Sequence, residues 1–130
     1  MIQKQLLNPV AIRAPFAAYS HGVIAPTGGR MLVTSGQLGV GIDDVIPGDI
    51  EAQCVLVFEN LQAILADAGM TFADVIRFNA FVTDRAYFTI YGAVRGRYVR
   101  GNGFASTLVI VSGFTRPEFK IEVELTAVGA

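Results

Sequence analysis

The stretch Phe119-Lys120-Ile121-Glu122-Val123-Glu124-Leu125-Thr126-Ala127-Val128 alternates apolar and polar side chains from its first residue. Successive side chains of a β-strand leave opposite faces. Phe119, Ile121, Val123 and Leu125 therefore share an apolar face, and Lys120, Glu122, Glu124 and Thr126 a polar one. A strand of this kind buries one face against another layer, and the residues upstream supply that layer. Ser106 to Val111 is a β-branched run that reads as a second strand, preceded by the break Gly101-Asn102-Gly103. Val75 to Val82 reads as a third, with Arg77, Asn79 and Thr83 breaking its apolar character. Between these two strands a helix is expected over about Tyr87 to Arg100, with Asp84 as its cap. Arg97 and Arg100 suit the negative end of its dipole. Gly92 and Gly96 weaken that helix, and a close contact with the sheet would account for both.

Further upstream, Ile50, Cys54, Phe58, Leu61 and Leu65 recur at three- and four-residue spacing, which describes one buried helical face. Asp49 is its expected N-cap, Glu51 adds charge to the first turn, and Gly69 ends it. Gly36 to Gly48 is a glycine-rich loop without the lysine that a phosphate cradle needs. Ser20 to Ala25 and Arg30 to Ser35 read as a hairpin split by Pro26-Thr27-Gly28-Gly29. Val10 to Ala18, with Pro15, is irregular, and Ile2 to Leu7 is a possible edge strand. The order is strands, long helix, strand, helix, strand, strand. It predicts one α/β (α+β) domain over residues 1–130, a mixed β-sheet with two helices on one face.

Composition adds a second expectation. The chain is 52% hydrophobic and only 16% charged. So small a domain with so little charge exposes apolar surface when alone, and self-association follows. The formal charge is −1 and the basic residues are scattered, apart from Arg95, Arg97 and Arg100. That distribution argues against nucleic-acid binding. Cys54 is the only cysteine, so it forms no intrachain disulfide and no cysteine cluster for zinc. Its apolar neighbours mark it as a small buried hydrophobe. No run approaches the roughly 20 apolar residues of a membrane span, and the stretch from Met1 to Gln5 carries no long apolar core followed by a small-residue cleavage site. A cytoplasmic location away from membranes is the expectation.

Several segments, in order, resemble the RidA/YjgF family along nearly the whole chain. They are Pro15-Phe16-Ala17-Ala18-Tyr19-Ser20-His21-Gly22-Val23, Val33-Thr34-Ser35-Gly36-Gln37, Gly48-Asp49-Ile50 with Gln53 and Asn60-Leu61, Ala68-Gly69, Phe81-Val82-Thr83-Asp84, and Lys120-Ile121-Glu122-Val123-Glu124. The resemblance implies a chorismate-mutase-like fold and a homotrimer with a central barrel and three clefts between subunits. It implies hydrolysis of reactive imines or enamines, released by pyridoxal-phosphate enzymes, to a 2-oxo acid and ammonia. No metal or bound cofactor is implied. Other members have been described as ribonucleases or translation inhibitors, which this acidic chain supports poorly.

The family pattern Pro-Ala-Arg-Ser, whose arginine holds a substrate carboxylate in a bidentate fork, is here Phe104-Ala105-Ser106-Thr107. Ser106 stands where the arginine belongs, and Gly92 stands where the family carries an asparagine. Glu122 matches the glutamate that positions or activates the hydrolytic water, a task suited to a carboxylate whose pKa burial has raised; without the resemblance it is a carboxylate on a polar strand face. Tyr19 matches a cleft tyrosine that stacks on a planar ligand; packing is its plain alternative. Ser35 and Gly36 match positions where backbone groups meet the ligand, although a turn also explains them. His21, the only histidine, lies two residues beyond Tyr19 and shares its face if the segment is extended. Arg116, on a loop one residue longer than usual, is a substitute guanidinium or a solvated loop residue. Two functional readings follow. The first is a divergent deaminase-type hydrolase acting on a small imine, enamine or related metabolite other than the usual 2-imino acid. The second is a non-catalytic metabolite-binding or regulatory trimer.

Overall fold

A computed structural model describes residues 3–130, so Ile2 of the expected edge strand lies outside the described residues. The elements run β1 (Gln5–Leu7), β2 (Gly22–Ile24), β3 (Arg30–Val33), β4 (Gln37–Leu38), α1 (Ile50–Asp67), a 3-10 turn (Phe72–Asp74), β5 (Val75–Val82), α2 (Tyr87–Tyr98), β6 (Ala105–Ile110) and β7 (Ile121–Gly129). The alternating strand is the middle of the sheet, whose order is β3-β7-β5-β6 with β4 also on β7. Strand β6 runs parallel to β5, with α2 as the crossover between them, and the remaining pairs are antiparallel.

Helix α1 begins as its sequence dictates. The Asp49 carboxylate accepts from the backbone N–H of Ala52 at 3.1 Å, and Gly69 leaves the helix with φ +72°. Both helices pack on the face carrying Ile121, Val123 and Leu125, and all three residues are buried. Phe58 lies at the middle of this layer, with ring centroids 5.5 Å from Tyr98, 5.9 Å from Tyr91 and 6.1 Å from Phe78. Cys54 is fully buried beside it, and burial, with Asp49 and Glu51 nearby, pushes its thiol up to about 12. The amide of Gln53 is also fully buried and fully used. It donates to the carbonyls of Pro47 (2.8 Å) and Glu118 (2.9 Å) and accepts from the Lys120 N–H (2.9 Å). These bonds fix the entry into β7.

The opposite face of the sheet is open. Met31 and Val33 are 66% and 68% exposed there, in company with Val109 and Phe81. Beside them Arg77 donates to Asn79 (3.0 Å) and Thr107 (2.8 Å), and Asn79 donates to Glu124 (3.2 Å).

Three expectations need correction. Strands β2 and β3 do not form a hairpin: β2 pairs with β1, and β3 pairs with β7. The turn residues at 26–29 change sheets instead of closing a ladder. Asp84 does not cap α2 directly, since Ala86 occupies that position without a side-chain bond. The Asp84 carboxylate accepts from the Ala86 N–H at 2.8 Å, two residues ahead of the cap position. Gly92 and Gly96 make no close contact with the sheet, because a Cβ at either would meet nothing within 4 Å.

Candidate functional site

The register of β6 decides where Ser106 points. Ser106 pairs with Phe78 and Leu108 with Ala80, and both partners are buried under the helices. Paired residues of neighbouring strands project from the same face. Ser106 and Leu108 therefore face the helix side of an edge strand. There they line a cavity of about 510 Å³ with Tyr19, Phe88, Gly92 and Arg95.

Glu122 projects from the other face. It pairs with Phe81 and Leu38 and lies under the backbone of Gly36. A Cβ at position 36 would fall 2.5 Å from Glu122 Oε2 and 2.7 Å from its Cγ. Only glycine fits there with Glu122 as placed. Glu122 also borders a shallow depression with Leu38, Gly113, Phe114 and Thr115. Ser35, adjacent and exposed, accepts from the Gln37 side chain through its carbonyl at 3.3 Å. The expected site residues thus form two groups on opposite faces of one sheet: Tyr19 with Ser106, and Ser35 and Gly36 with Glu122.

Arg116 does not line the Ser106 cavity. Its guanidinium pairs with Asp44 at 3.3 Å, with both side chains largely exposed, and lies 5.8 Å over the Phe119 ring. His21 sits at the surface. Its Nε2 lies 2.6 Å from the Arg13 carbonyl, which makes Nε2 the protonated nitrogen, and its ring meets Tyr19 edge-on at 6.3 Å. Among the described residues no group of three His, Cys, Asp or Glu side chains is placed to hold a metal ion.

Sequence reasoning passes over Arg95, which stands in the cavity wall. It is 6% exposed. Its Nη1 donates to Ser106 Oγ at 3.1 Å and its Nη2 to the Ala18 carbonyl at 3.5 Å. The guanidinium carbon lies 4.9 Å over Phe104 and 5.2 Å over Tyr91. Among the described residues the ion pairs are Arg97–Glu51 and Arg116–Asp44, so no carboxylate balances Arg95. Beside it the Tyr91 hydroxyl is buried without a hydrogen-bond partner. Burial pushes that phenol up, and the charge of Arg95 partly opposes the shift. A readable signal existed. Tyr91, Val94, Arg95 and Tyr98 occupy one helical stripe, and an arginine on an apolar stripe is a buried cation.

Fold and site define a small α+β protein with a cleft at a sheet edge and a carboxylate on the far face. The family model described as Endoribonuclease L-PSP matches residues 10–129. Protein DfrA of Myxococcus xanthus is 37% identical over 98% of this chain and 97% of its own. TdcF of Escherichia coli, named as a candidate reactive intermediate deaminase, is 40% identical over 55% of this chain and 56% of its own. The crystal structure of YyfB from Yersinia pestis, a Rid-family protein of unknown function, superposes with a TM-score of 0.83. It has 28% identity and covers 96% of this chain and 98% of that one. The chain belongs to the RidA/YjgF family.

Proposed function

We propose that this protein is a deaminase-type hydrolase of small imines or enamines, working in clefts between neighbouring copies of a homotrimer. The observation that carries the proposal is the division of the site residues between opposite faces of the sheet. A second copy presenting its Glu122 face to the Ser106 cavity would rejoin them. The exposed apolar residues Met31, Val33 and Val109 favour such an assembly, because a sheet face of this kind needs a partner.

In the cleft, Glu122 takes a proton from water as its oxygen attacks the C=N carbon, giving a tetrahedral aminoalcohol. The same carboxyl returns that proton to the nitrogen, then takes the hydroxyl proton of the aminoalcohol and passes it to the amine as well. The C–N bond breaks, ammonia leaves and the carbonyl forms. Tyr19 lies along a planar ligand, and the backbone at Ser35 and Gly36 allows close approach. With Ser106 and Gly92 in place of the family's arginine and asparagine, the substrate differs in shape from the usual 2-imino acid.

The same two departures favour a second reading, a metabolite-binding trimer without turnover. Glu122→Gln separates the two. If the protein is a hydrolase, semicarbazide trapping of an imine made by an amino-acid oxidase shows turnover in the wild type and none in the variant. If it is a binding protein, neither turns over and the variant alters only ligand affinity.

A further inference from the structure

Removing an arginine's charge from water without a counter-ion is costly, and proteins seldom leave such a group unpaired. Arg95 is in that state. It is over nine-tenths buried, no carboxylate among the described residues pairs with it, and it borders a cavity. Of the five N–H donors of a guanidinium, one meets the Ser106 hydroxyl and one, at 3.5 Å, the Ala18 carbonyl. Both partners are neutral, so the positive charge is held in place without being balanced. The rings of Tyr91 and Phe104 flank the guanidinium, 5.2 and 4.9 Å from its carbon, and restrict its movement. A fixed planar fork is preorganised for a carboxylate.

The surroundings specify the rest of the ligand. No side chain fills the space beside Gly92, one turn from Arg95 on α2, and a Cβ there would meet nothing within 4 Å. Phe16, Phe88 and Leu108 give the cavity apolar walls.

We infer that Arg95 is the anion anchor of this cavity, moved from the strand to helix α2, and that the ligand is a carboxylate carrying an apolar body. Ser106 then has a defined role: its short side chain leaves room for Arg95 and orients it. The inference deepens the proposed hydrolase by naming its substrate class, and rests on that reading only for the chemistry that follows binding.

The test uses the full-length protein with 3-phenylpropanoate and its neutral counterpart 3-phenylpropanamide as calorimetric probes. The wild type is expected to bind the carboxylate at least about tenfold more tightly than the amide, the preference a charge-assisted pair supplies. Arg95→Met should abolish the preference, and Arg95→Met/Ser106→Arg should restore it from the strand. A measurement needing no substitution guards against misfolded variants: the Arg95 Nε–H resonance should shift with the carboxylate and not with the amide. Equal affinities, no binding of either probe by the wild type, or an unmoved Arg95 resonance would overturn the inference. An acidic side chain of a neighbouring copy seated on Arg95 would give that last result. Imine turnover is scored separately. Turnover without carboxylate preference would remove the anchor and keep the hydrolase, and preference without turnover would do the reverse.

Discussion

Two guanidinium groups cannot share the space that Ser106 now leaves to one. Ser106→Arg, which on sequence alone reads as restoring the family motif, places a second cation at the position from which Oγ contacts Arg95 at 3.1 Å. The expected result is a loss of about 1–3 kcal/mol of stability, seen as a lower urea midpoint, and relief of that loss when Arg95→Met is added. Gly36→Ala is expected to act through Glu122. The added methyl cannot coexist with the carboxylate as placed, so imine turnover should fall by roughly tenfold or more while Tm changes little. Cys54 carries a pH prediction. Its thiol is held neutral in the fold up to about 12 against an ordinary value of 9.0. Its contribution is complete below pH 9 and fades as the pH rises toward 12, because only the unfolded thiol ionises in that window. Urea melts of the wild type should therefore lose stability with rising pH more steeply than those of Cys54→Ala.

At the scale of elements, strand β7 and helix α1 were legible because each obeys one period along its length. Cys54, Phe58, Leu61 and Leu65 are all buried, as their spacing predicted. Phe58→Ala, which empties the centre of the aromatic cluster, should cost about 3–5 kcal/mol in denaturant unfolding. The partner of β2 was not legible. Turn residues between two apolar runs indicate a change of direction, but β1 competes for the same edge, and only tertiary packing decides between them. The same limit hid the arrangement of the site. Glu122 was readable on a polar face, whereas the face of Ser106 depends on the register of β6 against β5, which no local pattern fixes. Arg95 was obscured because Arg97 and Arg100, which suit the helix end, follow it closely, and the three stand out together only as a small basic group. Arg97 does lie at the surface, paired with Glu51 at 3.1 Å.

For the whole molecule, the open sheet face and the low charge lead to the same expectation. The proposed trimer should sediment at roughly three times 13.9 kDa. Val33→Glu, which places a carboxylate on the open face, should shift the protein toward monomer in sedimentation velocity. The arginines also bear on the ribonuclease description attached to the family model. Arg95 is buried, Arg97 and Arg116 are paired with acids, and Arg77 is bonded within the sheet face. None of these four is free for a phosphate backbone, so weak RNA affinity at low salt is the expected result of filter binding.

The placement of Ser106 and Glu122 on opposite faces has a genetic counterpart. If each working cleft draws one half from each of two chains, a chain defective at Arg95 and a chain defective at Glu122 carry complementary lesions. Each alone would assemble into an inactive particle. Unfolded together and refolded as a mixture, they would form hybrid particles in which one cleft combines the two intact halves. Activity would then reappear from two inactive parents, and it would fade on dilution as the hybrids dissociate.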